Sequence, residues 1–243
     1  MIKGLYVSKA GMLPRQRQLE INANNLANIN TIGYKKDNVF FRHLIDSLQG
    51  KDSLNGEREF ANGEIATDFS CGPLQETGNL LDLAISDEGF FVIQTPQGNV
   101  YTRNGNFTLD PEGRLITQDG FLVMGSGGEI QLAGNNINIA ENGSIIVDGE
   151  AVDKIRIVHF DDYSRLIKIG GACFSDEEGE AAIEVAPEKI QLRQGYLEGS
   201  NVTGIEEIVQ MIELYRQFEL GQKAIATQDS TLEKLVNDAG RLG

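Results

Sequence analysis

With only two histidines and two cysteines in 243 residues, the chain lacks the raw material for much of enzyme chemistry. His43 and His159 lie in unrelated segments with no recognisable Ser or Cys partner pattern, so a nucleophilic triad is not expected. Cys71 and Cys173 are far apart and have no metal-ligand spacing. Each reads as a buried free thiol, with one disulfide between them as the alternative. Basic residues are also short, 21 Lys and Arg against 36 Asp and Glu, a net charge of −15. Duplex nucleic acid would be repelled, which discounts it as a partner. No run of 18 apolar residues is present, so no membrane insertion is expected. Lys3, Lys9, Arg15 and Arg17 interrupt every apolar stretch that could serve as a secretory signal. Action outside the cytoplasm would therefore need another export route.

Other candidate chemistry is equally thin. Gly125-Ser126-Gly127-Gly128 is not followed by the Lys and helix of a phosphate loop, and reads as a turn. Asp161-Asp162 and Glu177-Glu178 could be offered as paired carboxylates for glycosidic cleavage. Adjacent acids on a strand point to opposite faces, however, and both pairs sit beside turns, so they read as solvated loops. No catalytic residue, cofactor or metal is expected.

What the chain does have is helical pattern at both ends. Leu5, Met12, Leu19 and Leu26 recur every seven residues, with Ile2, Lys9, Gln16 and Ala23 between them, a heptad seam with two polar defects. A helix over 2–30 would be about 40 Å long. Pro14 removes one backbone bond and clashes with the preceding turn, so a kink or break is expected between Gly11 and Pro14. Residues 21–30 are rich in Asn, which reads as amide bonding to neighbouring helices, and Gly33 ends the element. Near the other end Ile205, Ile208, Ile212, Tyr215, Phe218, Gln222, Ile225, Leu232 and Val236 fall on three-or-four spacing. Ser200, Asn201 and Thr203 offer N-caps, and Glu206 and Glu207 suit the first turn. Continuous from 205 to 237, that helix would span about 50 Å, weakened at Gly221 by about 1 kcal/mol. Residues 1–36 hold six basic residues against one acidic, and residues 196–243 four against eight. Such segments attract each other, although exposed pairs contribute only ~0–1 kcal/mol. Neither helix is rich enough in strong formers to stand alone, so both are expected to fold fully on assembly.

The middle is β-like. Candidate strands are Leu81–Ile85, Phe90–Gln94, Val100–Thr102, Phe107–Leu109, Leu115–Thr117, Phe121–Met124, Ile137–Ile139, Ile145–Val147, Lys154–Phe160, Leu166–Gly170 and Ala182–Val185. Thr95-Pro96-Gln97-Gly98 and Asp110-Pro111-Glu112-Gly113 carry type I turn chemistry. Asn104-Gly105, Asp119-Gly120, Asn142-Gly143 and Asp148-Gly149 are hairpin signals. Strands so closely spaced leave no room for helical crossovers, so the sheet is expected to be mainly antiparallel. Phe40, Phe41, Leu44, Ile45 and Leu48 suggest a short helix or an irregular packed stretch, and residues 50–64 a loop or open hairpin. The fold class is α+β. Its parts are an N-terminal helical segment (1–33), an irregular connector (34–75), a β-rich domain (76–190) and a C-terminal helical segment (191–243).

Several blocks also resemble a known family. Ala23-Asn24-Asn25-Leu26-Ala27-Asn28 with Thr31, Gly33, Tyr34 and Lys35 is similar to the N-terminal motif of bacterial flagellar rod and hook proteins. Thr77-Gly78-Asn79, Leu81-Asp82-Leu83-Ala84-Ile85, Gly89-Phe90-Phe91 and Tyr101-Thr102-Arg103-Asn104-Gly105-Asn106-Phe107 follow, then Gly113 and Gly120. Glu198-Gly199-Ser200-Asn201-Val202, Glu207, Met211-Ile212, Arg216, Phe218-Glu219 and Lys223 complete the order. Each block is weak singly; together they are specific. The resemblance implies a basal-body rod subunit whose terminal helices pair in a coiled-coil-like inner domain, with the antiparallel β-rich domain outward. It implies partners in other copies and other rod and hook axial proteins, with surrounding ring proteins as further candidates. It also implies passage through the flagellar type III export apparatus and a place in the basal body outside the cytoplasmic membrane. Leu5, Met12, Leu19 and Leu26 would pack with the stripe Ile205, Ile208, Ile212, Tyr215, Phe218, Ile225 and Leu232. Asn24, Asn25 and Asn28 would contact neighbours. Pro14 departs from the helix-friendly residues usual there. The middle is short for a hook protein and fits a rod subunit, proximal or distal. The competing reading is a secreted module whose β domain binds a cell-wall polymer or a ring protein.

Overall fold

The apolar run Phe90-Phe91-Val92-Ile93 has no polar face, and the chain uses it as a strand buried on both sides. The computed structural model describes residues 2–40, 64–134, 136–176 and 182–241. In chain order these form α1 (Ile2–Ala27), β1 (Asp37–Phe40), β2 (Glu64–Thr67), β3 (Leu74–Glu76), β4 (Leu83–Ile85), β5 (Phe90–Thr95), β6 (Gly98–Thr102), β7 (Phe107–Leu109), β8 (Leu115–Thr117) and β9 (Leu122–Gly125). Then come β10 (Gly128–Glu129), β11 (Ile137–Ile139), β12 (Ser144–Val147), β13 (Glu150–Lys154), β14 (Ile157–His159), β15 (Leu166–Gly170), β16 (Cys173–Asp176), β17 (Ile183–Glu184), β18 (Leu192–Gln194), β19 (Tyr196–Glu198) and α2 (Gly204–Arg241). The class is α+β, and every strand pairing among the described residues is antiparallel.

Two compact units result, and neither is continuous in sequence. A helical unit comprises Met1–Ala27, Asp37–Thr67 and Thr203–Gly243; a β unit comprises Asn28–Lys36 and Asp68–Val202.

In the β unit the main sheet runs β15-β16-β6-β5-β9-β8-β7, with β14 also on β5. Strand β5 divides the interior. Phe91 joins Leu83, Phe107, Leu115, Ile145 and Ile157 in one apolar cluster, while Phe90 and Val92 join Tyr101, Phe160 and Phe174 in another. Burial on this scale, about 1.5–3 kcal/mol for each large side chain, is what holds the unit together. The late strands β18 and β19 return to pair with the early strands β4 and β3, closing the chain on itself.

Several expectations change here. The segment expected as one strand at Lys154–Phe160 divides, because β13 pairs with β12 while β14 pairs with β5. Asn104-Gly105 does not turn a hairpin. A Cβ at Gly105 would collide with the carbonyl oxygen of Leu83, so the glycine permits that close approach. Asp148-Gly149 does turn the β12–β13 hairpin, with positive φ at both residues. Gly125–Gly128 is the β9–β10 turn. Residues 41–63, which carry His43 and the Phe41–Leu48 stretch, lie outside the described residues, as do Glu177 and Glu178.

In the helical unit α1 runs without a break past Pro14. The proline costs one backbone bond and its neighbours retain theirs, so the expected break does not occur. The helix stops at Ala27, short of residue 30, and Gly33 serves the β unit, not the helix end. Helix α2 is continuous through Gly221. The two helices lie side by side and antiparallel. Arg15 Nε donates to Gln217 Oε1 at 3.0 Å and Asn22 Nδ2 to Gln210 Oε1 at 3.2 Å, so one residue number falls as the other rises. A Cβ built at Gly221 would sit 3.2 Å from Met12 Cγ, which gives the mid-helix glycine a packing reason.

Candidate assembly interface

Helix α2 is apolar on two opposite sides. The side toward α1 is Glu207, Met211, Leu214, Phe218, Gly221, Ile225 and Gln228, a regular four-three spacing of buried and half-buried positions. The other side carries Ile205, Ile208, Val209, Ile212, Tyr215 and Leu220, all exposed, with Ile205 at 78% and Tyr215 at 66%. At about 100° per residue this second stripe is centred roughly 170° from Leu214. A single helical partner can cover only one of two such faces.

The expected interface residues thus sort into different places. Ile205, Ile208, Ile212 and Tyr215 form the uncovered face, whereas Phe218 and Ile225 lie on the α1 side. Met12, Leu19 and Leu26 are half-buried on α1, and Asn24 is exposed. Asn25 is fully buried within its own chain. Its Nδ2 donates to the Asp37 carbonyl at 2.9 Å and to Glu207 Oε2 at 3.5 Å, and its Oδ1 accepts from Asp37 N–H at 3.0 Å. Those bonds tie α1, β1 and α2 together inside one chain. Asn28 sits in the turn after α1, half-buried, where its Oδ1 accepts from the Thr31 hydroxyl at 3.1 Å. Leu5 and Leu232 occupy helical positions whose side chains lie outside the described set.

The motif residues Gly33, Lys35, Arg103 and Glu198 meet inside the β unit in an ion network that sequence reasoning did not anticipate. Glu198 Oε1 accepts from Lys35 Nζ at 2.7 Å and from Gly72 N–H at 2.8 Å, and its Oε2 accepts from Arg103 Nη1 at 3.3 Å. The Lys35 and Glu198 side chains have no solvent exposure. Lys35 also donates to the Ser70 carbonyl at 2.7 Å. Burial pushes the Lys35 ammonium below its usual pKa range, against the pull of Glu198. Gly33, at φ +68°, brings its backbone against that of Arg103 and donates its N–H to the Glu198 carbonyl at 2.8 Å. Asn201, expected as a cap, instead accepts from Lys36 N–H at 2.7 Å and donates to the Asp68 carbonyl at 2.8 Å. A second cluster gathers on Asp82, which accepts from Thr77 Oγ1 at 2.7 Å, Asn106 Nδ2 at 2.8 Å and Asn79 Nδ2 at 3.1 Å. The sequence offered no local signal for this network beyond the place of Lys35, Arg103 and Glu198 in separate motif blocks.

Of the candidate paired carboxylates, only Asp161 and Asp162 lie among the described residues. Asp162 Oδ1 accepts from the Ser164 N–H at 2.9 Å and hydroxyl at 2.6 Å, bonds that hold its carboxyl below the usual range at an exposed turn. Cys71 and Cys173 are both free. Cys71 is exposed, contrary to the buried thiol expected, because residues 68–73 run as an irregular surface segment; Cys173 is half-buried. No described helix is long and apolar enough to cross a membrane.

A β unit closed on its own core, in one chain with a helical unit whose apolar face is uncovered, is the build of an assembling structural subunit. Comparison with known proteins agrees. Residues 5–35 match the family model described as flagella basal body rod protein, residues 84–147 the flagellar hook protein FlgE/F/G D1 domain, and residues 193–238 the flagellar basal body rod FlgEFG protein C-terminal. The chain is 34% identical to the flagellar basal-body rod protein FlgG of Bacillus subtilis, over 98% of this chain and 99% of that one. It is 33% identical to the flagellar basal-body rod protein FlgF of Caulobacter vibrioides, over 100% of this chain and 99% of that one. FlgG of Borreliella burgdorferi is 34% identical over 96% and 97%. The chain belongs to the flagellar basal-body rod protein family.

Proposed function

We propose that this protein is a structural subunit of the bacterial flagellar basal-body rod, stacking with copies of itself and with other rod and hook axial proteins into the helical drive-shaft tube. The observation that carries the reading is the pair of opposed apolar faces on α2, one against α1 and one exposed. In the tube α1 and α2 pair in a coiled-coil-like inner domain, which the antiparallel contacts from Met12 to Asn25 support. The exposed face, Ile205, Ile208, Ile212 and Tyr215, is covered by neighbouring copies, and Asn24 and Asn28 contribute amides at the rim. Head-to-tail contacts that do not close give a filament. Passage through the type III export apparatus and contact with ring proteins follow from the same family reading, as does the absence of a catalytic role. Full-length similarity to rod proteins, helices and β unit alike, favours this reading over a β-domain binding module.

The test is a chain beginning at residue 28. The β unit keeps Lys35 and its network, so this fragment stays soluble and folded but does not enter the basal body. Its recovery in purified rods would overturn the proposal.

A further inference from the structure

The chain passes between its two units four times, after Ala27, Lys36, Thr67 and Val202. Within the β unit, three of those crossings meet at the side chain of Asn201. Asn201 itself stands just before the last crossing. Its Oδ1 accepts at 2.7 Å from the N–H of Lys36, the residue at which the chain leaves the β unit. Its Nδ2 donates at 2.8 Å to the carbonyl of Asp68, the residue at which the chain returns. The same nitrogen lies 3.2 Å from the carbonyl and 3.2 Å from the hydroxyl of Ser70. Lys36 and Asp68 also bond directly, the Asp68 N–H donating to the Lys36 carbonyl at 2.8 Å. The remaining crossing is reached through the backbone. Asn201 N–H donates to the Tyr34 carbonyl at 3.4 Å, Tyr34 N–H to Thr31 at 3.3 Å, and Thr31 N–H at 3.1 Å to Asn28, the first β-unit residue after α1.

The chemistry explains why an asparagine stands here. A primary amide carries an acceptor and two donors on one short stem. Aspartate supplies the acceptor and no donor, and glutamine carries the same group one methylene too far. The contacts at Lys36 and Asp68 are to backbone groups, so the amide holds the path of the chain whatever side chains those residues bear. The flanking segments are anchored by other means. Glu198 holds Lys35, while Lys168 Nζ donates to the Lys35 carbonyl at 2.7 Å and lies 4.1 Å from the centre of the Tyr34 ring. Loss of the Asn201 amide therefore removes the link between the crossings and leaves their anchors in place.

We propose that Asn201 is a positioning residue that ties the crossings into one stem. The segments by which the β unit joins the rest of the chain leave it locked to each other, so a pull or twist on one is shared by all. The inference rests on the rod-subunit reading for its purpose, since a subunit of a drive shaft has to pass torsion along its chain.

Amide hydrogen exchange on the full chain tests the tie. In Asn201→Ala the amides of Lys36 and Asp68 exchange about tenfold faster, the scale of the hydrogen bonds removed, while amides inside β5 stay within about twofold of the parent. Limited proteolysis at the crossings quickens in the same variant. Asn201→Asp separates the two ends of the amide. A carboxylate still accepts from the Lys36 N–H, so that amide stays protected while the Asp68 amide opens. Unchanged exchange at Lys36 and Asp68 in Asn201→Ala overturns the tie. So does equal acceleration at the crossings and in β5, which would make Asn201 a general support of the β unit. Loss of Lys36 protection in Asn201→Asp as large as in Asn201→Ala overturns it too, because the retained acceptor would then hold nothing. Incorporation of the parent chain into purified rods is scored apart. Its absence there fails the rod-subunit reading and leaves the exchange result, measured on a single chain, standing.

Discussion

The β unit and the helical unit solve the same problem in opposite ways. Among the described residues, every fully buried apolar side chain except Ile21 belongs to the β unit. The helical unit leaves Leu13, Ile205, Ile208, Val209, Ile212, Tyr215 and Leu220 exposed. One unit is stabilised by what it encloses, the other by what it will meet. Stability and assembly are therefore separable in this chain, and substitutions should affect one without the other.

The largest effect is expected at Glu198. Replacing it by alanine leaves Lys35 and Arg103 buried without their counter-charge, and breaking a buried pair in this way costs about 3–5 kcal/mol. The midpoint of denaturant unfolding of the β unit should fall accordingly. A loss under about 1 kcal/mol would mean that the network tolerates water and does not hold the unit shut.

A matched pair of truncations sharpens the contrast. Phe91→Ala empties a site between β-unit strands, where Phe91 meets Phe107 edge-on at 5.1 Å between ring centres, and should cost about 3–5 kcal/mol. Ile212→Ala, on the exposed face, should change monomer stability by no more than about 0.5 kcal/mol and yet reduce incorporation into rods. Equal stability losses in the two variants would show that the α2 face is already covered within one chain.

How far the sequence revealed this division depends on the length of each signal. Period-two runs such as Phe107–Leu109 and Ile137–Ile139 appear as strands with the bounds expected for them. Strands β3, β16, β18 and β19 escaped notice because Leu74–Glu76, Cys173–Asp176, Leu192–Gln194 and Tyr196–Glu198 carry no apolar–polar–apolar repeat, and their partners lie up to about 120 residues away. The same distance hid the ion network. Lys35, Arg103 and Glu198 sit in three separate motif blocks, and nothing local to any of them shows that they meet. On α2 the three-or-four spacing was legible, but two interleaved stripes read as one. Phe218 and Ile225 face α1 while Ile205 to Tyr215 face outward, and only the antiparallel partner separates them.

The smallest expected effect bears on the line where α1 and α2 touch. At Gly221 two terms of similar size oppose each other. Alanine would raise helix propensity by about 1 kcal/mol over glycine. Its methyl group would sit 3.2 Å from Met12 Cγ, closer than carbon atoms settle without a shift. Methionine is unbranched and adjusts through several torsions, so the contact should relax at a cost below the propensity gain. Gly221→Ala should thus leave the melting temperature of the helical unit unchanged or raise it slightly. Gly221→Leu, whose bulk Met12 cannot escape, should lower it and part the helices, seen as loss of helical signal at lower temperature. A clear drop for alanine alone would show that the two helices meet along a rigid seam at this point, and that the glycine is required there for contact and not merely tolerated.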